Sequence, residues 1–200
     1  MQTIPGPDGQ PRCGWCAAAP EFFAYHDAEW GFPVGDDRLL FEKLCLEGFQ
    51  AGLSWRTILN KRPAFRAGFA NFDIDRVAAF TERDVARLLG DAGIVRHRGK
   101  IEAAINNAQR ARELIAEAGS LAAFVWRYED DGSAPPQSRT TSPQSIALSR
   151  ELKRRGWRFV GPTTVFAFMQ AMGLVNDHAP ACVSRAGAAA VRAAFAVPGR

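Results

Sequence analysis

Helix start and stop signals recur at short intervals along this chain and favour a fold built of short helices. Ser54, Asp73 and Ser142 each precede apolar residues at helical spacing, as N-cap residues do. Gly119 and Gly156 follow such runs, where glycine commonly ends a helix. No segment convincingly alternates apolar and polar residues as a half-buried strand would. The pattern predicts an all-α fold of about eight to ten short helices.

These signals also predict boundaries. One helix is expected from Arg38 to Phe49, and the next begins at Trp55 and ends before Pro63, which can open a further helix. Residues 98–118 are expected to form one long helix. Shorter helices are expected after Asp73, after a capping box over 81–84, over 121–128, after Ser142-Pro143 and over 162–173, with a polar loop over 129–142.

The two ends of the chain differ from its middle. Residues 1–11 are rich in proline and glycine, so we expect a flexible N-terminal segment and no signal peptide. Residues 12–183 are expected to form the folded domain, followed by an Ala-rich tail over 184–200 that is either a terminal helix or frayed. The uncharged stretch 159–176 is interrupted by polar residues, glycine and proline, so it is too short for a membrane span. We expect a cytoplasmic protein without a membrane partner.

The formal net charge of +4 hides an uneven distribution. Residues 1–50 carry 3 basic and 8 acidic side chains, residues 51–100 carry 10 and 5, and residues 151–200 carry 7 and 2. An anionic partner is expected to meet the second and fourth quarters first. Charge alone permits a nucleic-acid partner, but by itself it favours ordinary solvated helix faces.

Cysteine and histidine residues lie near both ends of the chain at spacings that metal sites use. Four cysteines are too few for a disulfide scaffold. Cys13 and His26, together with His178 and Cys182, offer a tetrahedral Cys2His2 set that suits a structural zinc ion. Cys13 and Cys16 form a rival pair, and unrelated cysteines and histidines fit the spacing equally well. Spacing alone leaves these alternatives open.

Six blocks of sequence occur in a characteristic order along the chain. The blocks are CGW at 13–15, YHDAEWG at 25–31, LEGFQAGLSW at 46–55, DAGIVRHRGKI at 91–101, FVGPT at 159–163 and MQAMGLVNDH at 169–178. Their order closely resembles the bacterial 3-methyladenine DNA glycosylase I family. The resemblance runs from about Arg12 to Cys182, and several ordered blocks are far more specific than a single motif.

This resemblance implies a bilobal helix-hairpin-helix DNA glycosylase fold. It implies one structural zinc that joins the N- and C-terminal segments through Cys13, His26, His178 and Cys182, which decides against Cys16. It further implies a monomeric, monofunctional enzyme of base excision repair. Its expected partners are alkylated double-stranded DNA and the released base, 3-methyladenine.

The resemblance also assigns a base-binding site. An N3-alkylated adenine is cationic, so a carboxylate and electron-rich aromatic faces suit it. The resemblance implies that Glu47 and Tyr25 hydrogen-bond the base edge and that Trp55 stacks on its face, with Glu47 also the candidate catalytic residue. Trp15 and Trp30 are expected to complete an aromatic wall.

Phe22, shortly before the YHDAEWG block, is also expected to bind the base, and it is a departure from some members of the family. Some family members carry tyrosine at this position, so the phenyl ring keeps its stacking area and lacks the hydroxyl donor. Residues 109–120 contain no aspartate, although most helix-hairpin-helix glycosylases carry a catalytic one there. That absence agrees with the 3-methyladenine family.

DNA contacts are expected at two places. Residues 92–100 fit a hairpin between two helices, where Gly99 allows close approach to a phosphate and Arg96, Arg98 and Lys100 add positive charge. In the LEGFQAGLSW block, the dipeptide Gly52-Leu53 offers an apolar wedge for the gap that a flipped base leaves.

Two other functions fit parts of the pattern. A zinc-stabilised helical protein that binds DNA without catalysis would show salt-dependent DNA binding and no base release. A helical zinc protein that binds a small heterocycle would be indifferent to DNA. The carboxylate and aromatic residues favour the glycosylase over the first alternative, and the basic hairpin favours it over the second.

Overall fold

The computed structural model describes residues 2–199, which form ten α-helices and a two-stranded sheet. The predicted all-α character is confirmed for almost the whole of this range. The strands are β1 (Thr3–Pro5) and β2 (Pro11–Cys13). The helices are α1 (Glu21–Ala28), α2 (Asp37–Gln50), α3 (Trp55–Gly68), α4 (Ile74–Ala78), α5 (Glu82–Gly90), α6 (Arg98–Ala118), α7 (Leu121–Val125), α8 (Pro143–Arg154), α9 (Pro162–Ala171) and α10 (Ser184–Ala194).

The N-terminal segment forms a β-hairpin, so the prediction that the chain lacks strands is wrong there. Strands β1 and β2 pair antiparallel, with Thr3 opposite Cys13. Each strand has only three residues, which is too short for a period-two pattern to be visible in the sequence. The backbone N–H of Val183 donates to the carbonyl of Pro11 at 2.9 Å. The hairpin therefore ties the start of the chain to its C-terminal part.

Most predicted helix caps are present. The side chain of Ser54 accepts from the N–H of Thr57, and Asp73 accepts from Arg76. Helix α6 has the predicted bounds and ends at Gly119, whose φ of 86° an L side chain rarely adopts. The predicted helical alternative for the tail is also present, as α10.

The predicted helix break before Pro63 is wrong, because α3 continues through this residue to Gly68. A proline inside a helix removes one backbone hydrogen bond and costs about 3 kcal/mol. Ile58 and Phe65 lie on either side of Pro63 and are fully buried. We infer that their packing outweighs the local penalty.

Helix α2 is the centre of the molecule. Every residue from Leu40 to Phe49 is buried, including the charged side chains of Glu42, Lys43 and Glu47. The helix contacts α3, α6, α7 and α9. Close packing on all sides holds the side chains of this helix in place. Two opposite charges, those of Lys43 and Glu47, consequently lie one helical turn apart inside the protein.

No helix among residues 2–199 is both long enough and apolar enough to cross a membrane.

Candidate functional site

A cavity of about 350 Å³ opens between the N-terminal part of the chain, the C-terminal end of α2 and the start of α3. It brings together five of the six predicted base-binding residues. Phe22 lies behind the lining, where its ring packs edge-on against Trp15 with centroids 5.6 Å apart. The lining residues are Trp15, Tyr25, Trp30, Glu47, Gln50, Trp55, Gln137, Arg139, Thr140, Ala167 and Gln170. We call this cavity the aromatic pocket.

Four aromatic rings form a continuous wall of this pocket. The ring centroids of Trp15 and Trp30 lie 5.2 Å apart, those of Trp15 and Tyr25 6.3 Å apart, and those of Tyr25 and Trp55 5.5 Å apart. Tyr25 and Trp30 are buried, whereas Trp15 and Trp55 are half-buried. Aromatic faces that remain partly exposed in a cavity can stack on a flat heterocycle.

An ion pair lies at the base of this wall. Lys43 and Glu47 are four residues apart on α2, and Lys43 Nζ lies 2.9 Å from Glu47 Oε1. Lys43 Nζ also donates to the hydroxyl of Tyr25 at 2.6 Å and lies 3.5 Å from the ring centroid of Trp55. Lys43 therefore contacts three of the six residues predicted to bind the base, Tyr25, Glu47 and Trp55. Sequence reasoning missed it, because a lysine four residues before a glutamate is usually part of a solvated helix face.

Burial shifts the protonation of these groups. Burial raises the pKa of the Tyr25 hydroxyl, and the nearby carboxylates of Glu47 and Glu29 raise it further. Burial lowers the pKa of the Lys43 ammonium, and the charge of Glu47 opposes that shift. Tyr25 is consequently a neutral hydroxyl at physiological pH.

The predicted polar loop supplies the opposite side of the aromatic pocket, which the sequence did not indicate. Asp177 anchors this loop: its carboxylate accepts from the N–H of Gln137 at 2.7 Å and from Gln170 Nε2 at 2.6 Å. Arg139 pairs with the buried Asp130 at 2.6 Å. The loop is held by charge and hydrogen bonds rather than by apolar periodicity.

Two polar atoms of the lining are buried without a hydrogen-bond partner within residues 2–199. They are the indole Nε1 of Trp55 and the amide Oε1 of Gln137. Most buried polar groups in proteins have a partner. Trp55 and Gln137 are therefore exceptions to this rule in the lining of the pocket.

The four predicted metal ligands form one buried cluster. Their ligand atoms all lie within 4.8 Å of one another, so the cluster could hold a metal ion. His26 Nε2 lies 3.2 Å from His178 Nδ1 and 3.4 Å from Cys182 Sγ, and Cys13 Sγ lies 3.7 Å from His178 Nδ1. Ligand bonds of about 2.0–2.3 Å in a tetrahedron imply separations of roughly 3.3–3.8 Å. Cys16 is buried outside this cluster, so geometry selects His26 over the rival pair.

The other nitrogen of each histidine ring has its own partner. His26 Nδ1 lies 2.7 Å from Asp27 Oδ1, and Arg12 holds that carboxylate in turn at 2.9 Å. His178 Nε2 lies 3.1 Å from the carbonyl oxygen of Trp30. These contacts orient both rings so that the remaining nitrogens face the cysteines, an arrangement typical of metal-binding histidines. Burial lowers the pKa of His26, and it lowers that of His178 to about 4.

The residues predicted to contact DNA lie in two places, the turn before α3 and the region around the start of α6. Leu53 is 42 % exposed, and Gly52 before it has a φ of 80°, so a tight turn presents the leucine to solvent. Arg96 is exposed, and Arg98 is half-exposed and pairs with Glu82 at 2.7 Å.

The prediction that the ammonium of Lys100 meets a phosphate needs correction. Lys100 is buried, and its Nζ donates to the carbonyl oxygens of Phe49 at 2.9 Å and Ala51 at 2.5 Å. It thus fastens the start of α6 to the end of α2. His97 caps α6 by accepting from the N–H of Lys100.

The helical fold, the acid-bearing aromatic pocket and the buried Cys2His2 cluster define a helical protein with a cavity whose chemistry suits a flat, polar heterocycle. Comparison with known proteins makes the class specific. The methyladenine glycosylase family matches residues 15–185, and the chain belongs to this family.

Several relatives show the same similarity over most of the chain. DNA-3-methyladenine glycosylase 1 of Escherichia coli K12 is 49% identical over 177 residues, covering 86% of this chain and 95% of the relative. The solved structure of a 3-methyladenine DNA glycosylase I variant in complex with 3-methyladenine aligns with a TM-score of 0.82 and 36% identity, covering 87% of this chain and 97% of that one. The Staphylococcus aureus 3-methyladenine DNA glycosylase I, solved to explain 3-methyladenine recognition, aligns with a TM-score of 0.81 and 37% identity, covering 87% and 96%.

Proposed function

We propose that this protein hydrolyses the N-glycosidic bond of 3-methyladenine in alkylated DNA and so begins base excision repair. The observation that carries the proposal is the meeting of Tyr25, Glu47 and Trp55 around one cavity. The similarity to enzymes named for this activity, one of them solved with 3-methyladenine, supports the same substrate.

This reaction depends more on recognition of the base than on acid catalysis. N3-alkylation leaves a positive charge on the base. When the bond from the sugar C1′ to base N9 breaks, the electron pair moves onto the base, which departs neutral. Water then adds its oxygen to C1′ and releases a proton. An enzyme accelerates such a step by holding the base and stabilising charge as it moves.

Each pocket residue has a role in this proposal. Trp55 stacks on the face of the base, and Trp15 and Trp30 complete the aromatic wall. The carboxylate of Glu47 accepts a hydrogen bond from the base and offsets positive charge, which is why it is the candidate catalytic residue. Tyr25 hydrogen-bonds the base edge. A stacked base is out of reach inside a duplex, so the nucleotide must flip into the pocket, and a cavity of about 350 Å³ has room for one base.

Zinc is the proposed occupant of the Cys2His2 cluster. Cys13, His26, His178 and Cys182 would hold it with two thiolates and two neutral imidazoles, a donor set and spacing that suit tetrahedral zinc. With all four positions supplied by protein, the ion would stabilise the fold and take no part in the reaction. It would fasten β2 and α1 to the segment before α10.

For the DNA contact, we propose that α5, the turn over 91–97 and α6 form a helix-hairpin-helix motif. Gly99 lies in the first turn of α6, where backbone N–H groups attract a phosphate, and Arg96 and Arg98 add charge beside it. Leu53 is the proposed wedge that replaces the flipped base in the stack.

Base release tests this function. Purified, metal-loaded protein is incubated with methylated duplex DNA, and the free bases are separated and identified. We expect 3-methyladenine as the main product. DNA binding without release of any base would contradict the proposal and favour a DNA-binding protein without catalysis.

A further inference from the structure

Lys43 lies behind the aromatic wall. A second cavity of about 300 Å³ adjoins the aromatic pocket, and Tyr25 and Trp55 line both of them. Lys43 lines only the second cavity. Its ammonium reaches through to Tyr25 Oη at 2.6 Å and Glu47 Oε1 at 2.9 Å, so it sits outside the space in which a base would stack.

The contacts of Lys43 determine which hydrogen-bonding groups remain available to a ligand. An ammonium group has three donors and no acceptor. Tyr25 Oη therefore accepts from Lys43, and its own proton is left to be donated elsewhere. Glu47 Oε1 accepts from Lys43, and Oε2 is left to accept from a ligand. Tyr25 and Glu47 together consequently offer a ligand one hydrogen-bond donor and one acceptor.

The neighbouring charged groups are paired with one another, so their effects on this arrangement partly offset. Glu29, which directly follows α1, and Arg62 on α3 form a double hydrogen bond at 2.5 and 2.7 Å. Glu42 on α2 pairs with Arg66 on α3 at 2.7 Å. This leaves Glu47 as the carboxylate within ion-pair distance of Lys43. The ammonium also lies 3.5 Å from the ring centroid of Trp55, where it favours a fixed ring position.

We propose that Lys43 is a positioning residue that makes the pocket select adenine over guanine. An adenine edge presents an amino donor at N6 beside an acceptor at N7, which matches one acceptor from Glu47 and one donor from Tyr25. A guanine edge presents two acceptors, O6 and N7, so one of them would face a carboxylate oxygen. This inference rests on the proposed function and adds the residue that sets its base specificity.

Without the ammonium, the same two groups would lose this fixed pattern. The Tyr25 hydroxyl could turn and accept, and the Glu47 carboxylate could rotate away from O6. A site rejects guanine strongly only if it cannot rearrange to give the buried O6 a hydrogen-bond donor. We therefore expect Lys43 to affect the ratio of affinities for the two bases more than the fold.

The test measures dissociation constants of free 3-methyladenine and free 3-methylguanine by tryptophan fluorescence. We expect the unmodified protein to prefer 3-methyladenine. Lys43→Met and the polar, similarly long Lys43→Gln should each reduce this preference by about tenfold or more. Lys43→Arg keeps a donor-only cation and should retain most of it. Lys153→Gln, on the exposed face of α8, is the matched control and should leave the ratio unchanged.

A double-substitution cycle separates positioning from general damage. In a Tyr25→Phe background the donor is already absent, so Lys43→Gln should change the ratio much less than it does beside Tyr25. An equal change in both backgrounds, or an unchanged ratio in the Lys43→Gln single variant, would overturn the inference. Failure of the unmodified protein to bind either base would instead refute the proposed function.

Discussion

His26 Nε2 and His178 Nδ1 lie 3.2 Å apart, although 152 positions separate the two residues in the chain. Two neutral imidazoles have little reason to bring unprotonated nitrogens together in a buried site. A shared metal ion provides that reason, because it binds both lone pairs. This pair of residues is the clearest structural support for the proposed metal ion that would join the N- and C-terminal segments.

Substitution of the ligands tests the metal site. We expect His26→Ala to lose most of the bound zinc and Cys16→Ala to retain it, since Cys16 lies outside the cluster. Metal content by mass spectrometry and thermal unfolding give the readouts, and the zinc-free variant should unfold at lower temperature. Retention of zinc by His26→Ala, with loss in Cys16→Ala, would reverse the assignment.

Substitution of Glu47 tests the base contact. Glu47→Gln keeps the size of the side chain and removes its charge, so we expect affinity for free 3-methyladenine to fall roughly tenfold or more, the cost of losing a charged hydrogen bond. Fluorescence titration measures this change. Glu113→Gln on the exposed face of α6 is the matched control. Normal affinity in Glu47→Gln would refute the proposed base contact.

Leu53 is predicted to act on duplex DNA and to take no part in binding the free base. Leu53→Ala should slow base release from duplex DNA several-fold, because the gap left by the flipped nucleotide is less well filled. It should leave binding of the free base unchanged. Ile146→Ala is the matched control, since Ile146 is also 42 % exposed. Equal loss in both assays would mean that Leu53 supports the pocket and is not a wedge.

The role of Lys100 is expected to appear in stability. Lys100→Met removes the donor to two carbonyl groups and should lower the free energy of unfolding by about 1–3 kcal/mol, measured by urea denaturation. The salt dependence of its DNA binding should be close to normal. Arg96→Gln should behave in the opposite way, with unchanged stability and a salt slope lower by about one. A reduced slope in Lys100→Met would restore the predicted phosphate contact.

Local signals in the sequence were sufficient for much of the fold. Helix α6 and the caps at Ser54 and Asp73 follow from side-chain chemistry within a few residues, and these predictions are confirmed. The hairpin and the passage of α3 through Pro63 depend on contacts with distant parts of the chain. No local pattern carries that information.

Some residues of the candidate site could likewise be predicted from the sequence, and others could not. The resemblance named Tyr25, Glu47 and Trp55, and the structure brings them around one cavity. Lys43 was missed because its burial is set by the helices around α2, and a lysine alone does not indicate burial. The pocket residues of the polar loop were missed because Asp177, about 40 positions away, holds that loop in place.

A structure of the protein with 3-methyladenine tests the central claim most directly. We expect the base in the aromatic pocket, with its face on Trp55, its amino group within hydrogen-bond distance of Glu47 Oε2 and a ring nitrogen accepting from the hydroxyl of Tyr25. Lys43 should keep its contacts with both residues. A base bound elsewhere, or bound in the pocket without contact to Glu47, would contradict the account.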